Sequence, residues 1–258
     1  MISAVQSCNL NNKTYFTGNH SQKELNAKQK AVILGSSVAG MTPVLAVLAK
    51  RKGFSLNPAK IIKTPIKDWA IFKYKPKDKV IEFEAPQIIS VAAGSVAGGF
   101  IGGSIVDKQN IKAKKREVLS QLLGNVLVPV GCVASGAKLY NKYADKIEGF
   151  MPQLKGNSNF KKGFNLFLQK IPNGLTTLSL LGVGIYLGNK VSNLINEKLY
   201  HKKVERDIKP SDFAPHVDDI CMAATMMNEG SSFGSKLGRI IPIALIVPGY
   251  ETGTAQDN

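Results

Sequence analysis

Five stretches of this chain contain no Asp, Glu, Lys or Arg, although 20% of the whole sequence is charged. They cover residues 31–49, 87–106, 118–137, 175–189 and 240–250, which is 85 of the 258 residues. The first three match the ~20 residues that an α-helix needs to cross a ~30 Å hydrocarbon core. The fourth reaches that length only with its flanking residues. The fifth contains Pro242 and Pro248 and is short enough to be a re-entrant segment or a buried turn. The pattern predicts a mainly α-helical, multi-pass membrane protein with four or five apolar helices.

Glycine usage separates this fold from its main alternative, a soluble, basic helical protein that binds an anionic partner. Fourteen of the 24 glycines lie in the charge-free stretches. In a soluble helix each of them would cost ~1 kcal/mol relative to alanine. Membrane helices, by contrast, use small residues to bring their backbones together. We therefore favour the membrane protein.

Seven of these glycines recur at the spacing of one helical turn, which places them on common helix faces. They are Gly94, Gly98, Gly99, Gly102, Gly103, Gly184 and Gly188. We predict that they are helix-packing residues of a glycine zipper. Such a face fits another helix of the same chain or a second copy of the protein, so a homo-oligomer is one expected assembly.

The third stretch combines a polar side chain with residues that interrupt helices, namely Asn125, Pro129 and Gly131. Proline removes a backbone hydrogen bond from a helix. Interrupted apolar segments form the binding sites of many transporters. A small-solute transporter or channel lined by these three residues is therefore the alternative function.

The chain has 34 Lys+Arg against 18 Asp+Glu, a net charge of +16. Only four of the basic residues are arginine, which disfavours specific readout of nucleic acid bases. Lysines in every connecting segment suit a bilayer with anionic headgroups, at ~1 kcal/mol per residue near the surface. If all five stretches cross, 17 basic residues lie on each side, so the charge does not set an orientation.

The connecting segments yield two further predictions within a single membrane domain of residues 31–250. Residues 71–84 alternate around a polar turn and predict a small β-hairpin. Residues 214–228 predict an amphipathic helix inside an insertion of residues 205–236. Residues 1–30 read as a disordered polar tail without a cleaved signal peptide, and 251–258 as a second tail. We expect a location in a membrane, specifically a bacterial cell membrane.

Residues that would carry chemistry are scarce. The three cysteines, Cys8, Cys132 and Cys221, are too widely spaced for a zinc site or a disulfide framework. His216 has acidic neighbours but lacks further ligands at metal-binding spacing. No charge-free stretch contains an ionisable group, the usual marker of ion coupling. We predict no catalytic, cofactor or metal residues, and favour a non-enzymatic function.

Overall fold

The computed structural model describes residues 24–69, 83–156, 158–201, 208–217, 220 and 240–256, and these residues are mainly helical. Four helices are long and apolar enough to cross a membrane. The first two are α1 (Ala27–Arg51) and α3 (Ala85–Val106). The third is continuous through α4 (Ile111–Leu119), a π-helical segment (Ser120–Leu127) and α5 (Val128–Gly149). The fourth is α6 (Asn159–Tyr200). The prediction of a mainly helical chain with helices long and apolar enough to span a membrane is confirmed.

Short helices connect or flank the long ones. After α1 come α2 (Pro58–Lys63) and a 3-10 helix (Ile66–Asp68). Further 3-10 helices cover Lys108–Asn110 and Pro210–His216. The described part of the chain ends with α7 (Ile241–Ala244) and α8 (Val247–Thr254).

The start of α1 is set by local hydrogen bonds at its first turn. The Asn26 side chain accepts a hydrogen bond from the backbone N–H of Gln29, and the Gln29 side chain accepts one from the backbone N–H of Asn26. This reciprocal capping box satisfies two backbone donors that the helix itself cannot satisfy. The helix therefore begins four residues before the predicted boundary at residue 31, and the predicted tail of residues 1–30 is too long at its end.

The fifth charge-free stretch does not form one spanning helix. Residues 240–250 instead form α7 and the start of α8, each with a proline in its first turn, where no backbone N–H is needed. Helix α8 continues to Thr254, and both Thr252 and Gly253 are buried. The prediction of a tail from residue 251 is therefore wrong for residues 251–254.

Two predictions fall mainly on residues that the structure does not describe. The predicted β-hairpin of residues 71–84 lies outside the described residues except for Phe83 and Glu84, and Glu84 is the N-cap of α3. The described ranges contain no strand. The predicted amphipathic helix of residues 214–228 overlaps the 3-10 helix that ends at His216. The rest of it, apart from Val217 and Ile220, lies outside the described residues, as does most of the predicted insertion.

Helix α3 lies between two neighbours. It packs antiparallel to α1, and Gln29 at the start of α1 donates a hydrogen bond to the carbonyl oxygen of Val106 at the end of α3 (3.0 Å). It packs parallel to α8, and the Ser95 hydroxyl donates to the carbonyl oxygen of Ile246 (3.3 Å). An apolar cluster joins α1, α3 and α7 to the π-helical segment through Met41, Ile88, Val91, Ala92, Val126, Ile241 and Leu245.

The outward face of α1 is apolar. Only 17% of the most apolar window of α1 is buried. Val32, Leu34, Val38 and Val47 of that helix are each more than 40% exposed. Contiguous apolar surface of this kind is rare on soluble monomers and marks contact with a membrane or a partner.

Candidate functional site

The first predicted glycine row, Gly94, Gly98 and Gly102, faces α1. A methyl group added to Gly94 would lie 2.7 Å from the carbonyl oxygen of Gly40, and one added to Gly98 would lie 3.0 Å from the Gly40 Cα. At Gly102 the nearest neighbour would be the hydroxyl of Ser36, at 2.5 Å. The row is therefore filled by α1 of the same chain, through its backbone at Gly40 and the small side chain of Ser36.

The second row, Gly99 and Gly103, faces α8 instead. A methyl group on Gly99 would lie 2.9 Å from the Cα of Gly249, and one on Gly103 would lie 2.6 Å from the Cα of Gly253. Helix α3 thus presents bare backbone on two sides, and each side is matched by small residues of a different helix. A second copy could use the first row only by displacing α1.

The glycines of α6 contact the helix that runs antiparallel to it. A methyl group on Gly184 would lie 2.6 Å from the Cα of Pro129, and one on Gly188 would lie 2.9 Å from the Cα of Gly124. Gly182, on another side of α6, has no neighbour within 4 Å. The predicted packing residues of α6 therefore lie where α6 meets the π-helical segment and the start of α5.

The structure does not bring the three predicted solute-lining residues together. Asn125 is fully buried, and Pro129 is buried against Gly184. Gly131 is exposed on the outside of α5, with nothing within 4 Å of an added methyl group. The prediction that Asn125, Pro129 and Gly131 line one solute path is therefore wrong. Of the three, only Asn125 lies in a polar environment inside the bundle.

That environment is a row of polar side chains along α4 and the π-helical segment, which we call the polar row: Lys114, Glu117, Gln121 and Asn125. Their spacing of three or four residues places them on one helix face. Lys114, Gln121 and Asn125 are at most 1% exposed. The row faces α8 and the 3-10 helix that ends at His216, as its hydrogen bonds show.

Lys114 forms the outer end of the polar row. Its ammonium group donates to Asp107 Oδ2 and to the carbonyl oxygen of Ala255, both at 2.8 Å. Burial raises the pKa of the Asp107 carboxyl, but hydrogen bonds from Lys114, Asn110 and Gln256 together with the charge of Lys114 outweigh burial, so that pKa lies below its usual value. The end of α3, the start of α4 and the end of α8 are thereby joined through one buried cation.

Gln121 connects the polar row to α8. Its Nε2 donates to Glu117 Oε1 (2.7 Å) and to Glu251 Oε2 (2.6 Å). Glu251 lies 130 residues away in the sequence. The amide therefore ties two carboxylates from different helices to one point inside the bundle.

Asn125 forms the inner end of the polar row with two residues of the 3-10 helix. Its Nδ2 donates to Asp212 Oδ1 (2.7 Å) and to Gln121 Oε1 (3.1 Å). His216 Nε2 donates to the backbone carbonyl oxygen of Asn125 (2.7 Å). Asp212 and His216 are both 0% exposed. Asn125 Oδ1 accepts no hydrogen bond from the described residues.

The depth of this cluster follows from its position in the third charge-free stretch. Asn125 comes seven residues after Val118, the first residue of that stretch, which is about 10 Å at the rise of a helix. It also lies in a π-helical segment, and π-helical turns occur frequently at functional sites. The fold therefore places Asp212 and His216 beside a residue that lies about 10 Å inside the third charge-free stretch.

Sequence reasoning missed this cluster because it searched each charge-free stretch separately. Asp212 reads as a helix cap, and it does accept a hydrogen bond from the backbone N–H of Lys209 (2.8 Å). The charge-free stretches themselves contain no Asp, Glu, Lys or Arg, but Lys114 and Asp212, which lie outside them, are buried in the bundle. The usable signal was the spacing of Lys114, Glu117, Gln121 and Asn125 across the edge of the third stretch.

Among the described residues, no three His, Cys, Asp or Glu side chains are grouped to hold a metal ion. Comparison with known proteins finds no matching family model, no similar curated protein and no similar solved structure.

Proposed function

We propose that this chain is a non-enzymatic, multi-pass integral membrane protein with four spanning helices and α7 and α8 as a re-entrant pair beside α3. The main support for this proposal is the exposure of α1. This apolar helix of 25 residues has only 17% of its most apolar window buried. In water this surface would be unfavourable by ~25 cal/mol for each Å² of apolar area, whereas lipid chains remove that penalty.

The glycine rows support a scaffold role for the helical bundle. Lipid is as apolar as the helix surfaces, so helices in a bilayer associate through close packing and interhelical hydrogen bonds. The close approach of α3 to both α1 and α8 provides the packing, and the polar row provides the hydrogen bonds. The partner of this scaffold is the bilayer, with anionic headgroups at the basic helix ends. A homo-oligomer would use a face other than the row covered by α1.

Washing membranes at alkaline pH with carbonate tests membrane residence of the full chain. We expect the protein to stay in the membrane pellet. Release into the supernatant would refute the proposal and favour the soluble, basic alternative.

Cysteine accessibility tests the four-span topology, in a background where Cys8, Cys132 and Cys221 are replaced by serine. With four crossings, Leu56→Cys and Leu154→Cys lie on one side of the membrane, and Gln109→Cys lies on the other. All three positions are exposed. A membrane-impermeant reagent should therefore label the first two from one side only and the third from the opposite side. Equal labelling of all three from one side would contradict the topology.

A second candidate function is transport of a small polar solute or cation along the polar row. Buried ionisable residues inside a membrane are unfavourable and mark functional sites by default. Asn125 Oδ1, without a hydrogen bond among the described residues, offers an acceptor beside Asp212.

The transport candidate is tested by ion and proton flux into liposomes containing the purified protein. Asp212→Asn should abolish the flux, and the exposed Gln109→Ala should not change it. Flux no greater than that of protein-free liposomes would exclude this candidate and leave the scaffold role.

A further inference from the structure

A cavity of about 600 Å³ lies between α1, α2 and α7, within the size range of small-molecule sites. One stripe of α1 forms its long wall: Val38, Met41, Thr42, Leu45, Ala46 and Ala49. Phe54, Ile61 and Trp69 contribute from the segment after α1, and Pro242, Ile243 and Ile246 contribute from α7 and the residues after it.

The length of the α1 wall matches the depth of one lipid leaflet. Val38 and Ala49 are separated by eleven residues, which is about 16 Å at helical rise. The hydrocarbon core of a bilayer is ~30 Å thick, so one leaflet accounts for about half of it. The cavity therefore suits an extended, leaflet-long occupant.

Three polar side chains in the walls, those of Thr42, Thr64 and Trp69, already donate to backbone carbonyl groups of the protein. The Thr42 hydroxyl donates to the carbonyl oxygen of Val38, and the Thr64 hydroxyl donates to that of Lys60, both at 2.7 Å. Trp69 Nε1 donates to the carbonyl oxygen of Thr64 (2.9 Å). A polar occupant would lose hydrogen bonds to water without regaining them here, which favours a hydrocarbon chain.

The segment of the chain at the α2 end of the cavity is basic. Residues 50–69 contain six Lys or Arg and one acidic residue, Asp68. Lys60 and Asp68 both line the cavity itself, together with Trp69, an aromatic residue typical of the membrane–water interface. Cationic residues at this level attract anionic lipid headgroups.

We propose that this cavity binds one acyl chain of an anionic phospholipid, with the headgroup phosphate at Lys60. The inference rests on the proposed membrane location. It goes beyond that location because it assigns a specific lipid class to one place on the bundle.

Quenching of Trp69 tests the site in the unmodified full chain, because Trp69 is its single tryptophan and lines the cavity. The probes are phosphatidylglycerol and phosphatidylcholine with the same brominated acyl chains, titrated into the purified protein in detergent. We expect phosphatidylglycerol to quench at lower mole fractions. Lys60→Gln should weaken its binding on the order of fivefold, from ~1 kcal/mol per basic residue, whereas the exposed Lys112→Gln should not. Equal quenching by the two lipids would overturn the proposal.

Filling the cavity with a larger side chain provides an independent test. Ala46→Phe should abolish retention of phosphatidylglycerol in native mass spectrometry, whereas Ala39→Phe, on an exposed face of the same helix, should retain it. Retention by Ala46→Phe equal to that of the unmodified chain would overturn the proposal. So would displacement of phosphatidylglycerol by an equimolar free fatty acid, because the occupant would then be a different amphiphile. These outcomes test the lipid site alone. Release of the protein by the carbonate wash would instead refute membrane residence itself.

Discussion

Replacing Gly98 by alanine tests whether the close approach of α1 and α3 stabilises the fold. An added methyl group would meet the carbonyl oxygen of Ser36 and would lie 3.0 Å from both the N and the Cα of Gly40. All three neighbours are backbone atoms of α1, so no side chain can rotate away. The helices must separate locally, or the substitution must be strained.

The expected magnitude follows from two opposing effects. Alanine in place of glycine stabilises a helix by ~1 kcal/mol. Overpacking a close-packed contact destabilises by about 1–3 kcal/mol. Gly35→Ala isolates the first effect, because a methyl group on Gly35 has nothing within 4 Å. Gly98→Ala should therefore be less stable than Gly35→Ala by about 1–3 kcal/mol, or roughly 5- to 150-fold in the unfolding equilibrium.

Unfolding by SDS in mixed micelles, followed by Trp69 fluorescence, measures this difference. Trp69 lies at the cavity between α1 and α7, so its environment changes when α1 leaves the bundle. Equal stability of the two alanine variants would refute the reasoning, because it would mean that the contact at Gly98 is loose enough to admit a methyl group without strain.

The same assay checks three further expectations. Gly188→Ala should be less stable than Gly182→Ala by about 1–3 kcal/mol, because only a methyl group on Gly188 would meet the backbone of a neighbouring helix. Equal free energies of unfolding for the two variants would contradict the packing of α6. Asp107→Asn should destabilise the fold by about 3 kcal/mol, because it leaves Lys114 buried without a counter-charge. Adding Lys114→Met to that variant should recover part of the lost stability. No recovery would argue against a stabilising pair of Asp107 and Lys114. Since the pKa of Asp107 is lowered by folding, its contribution should be complete at neutral pH and should be lost as the pH falls below about 4, a loss absent from Asp107→Asn.

The helices and their bare faces could be predicted because both are local properties. Charge-free stretches of 19 or 20 residues indicate spanning helices from length and composition alone. Gly94, Gly98 and Gly102 lie on one face of any helix that contains them. Neither inference depends on where the rest of the chain goes.

The polar row could not be predicted, because its partners are remote in sequence. Asp212 reaches Asn125 across 87 residues, and Glu251 reaches Gln121 across 130. Each of these four side chains has an ordinary local interpretation as a cap, a connector or a mildly polar helix residue. Their hydrogen bonds exist only after α8 and the 3-10 helix have packed against the π-helical segment.

The sequence by itself determined that this chain forms long apolar helices with glycine faces that demand close neighbours. Only the tertiary structure decided which neighbour fills each face. It placed α1 on the Gly94 row and α8 on the Gly99 row, and it divided the fifth stretch into two short helices. The reason is physical: a bare helix face admits any backbone that can come close, and complementary small residues and hydrogen bonds across the whole chain select one of them.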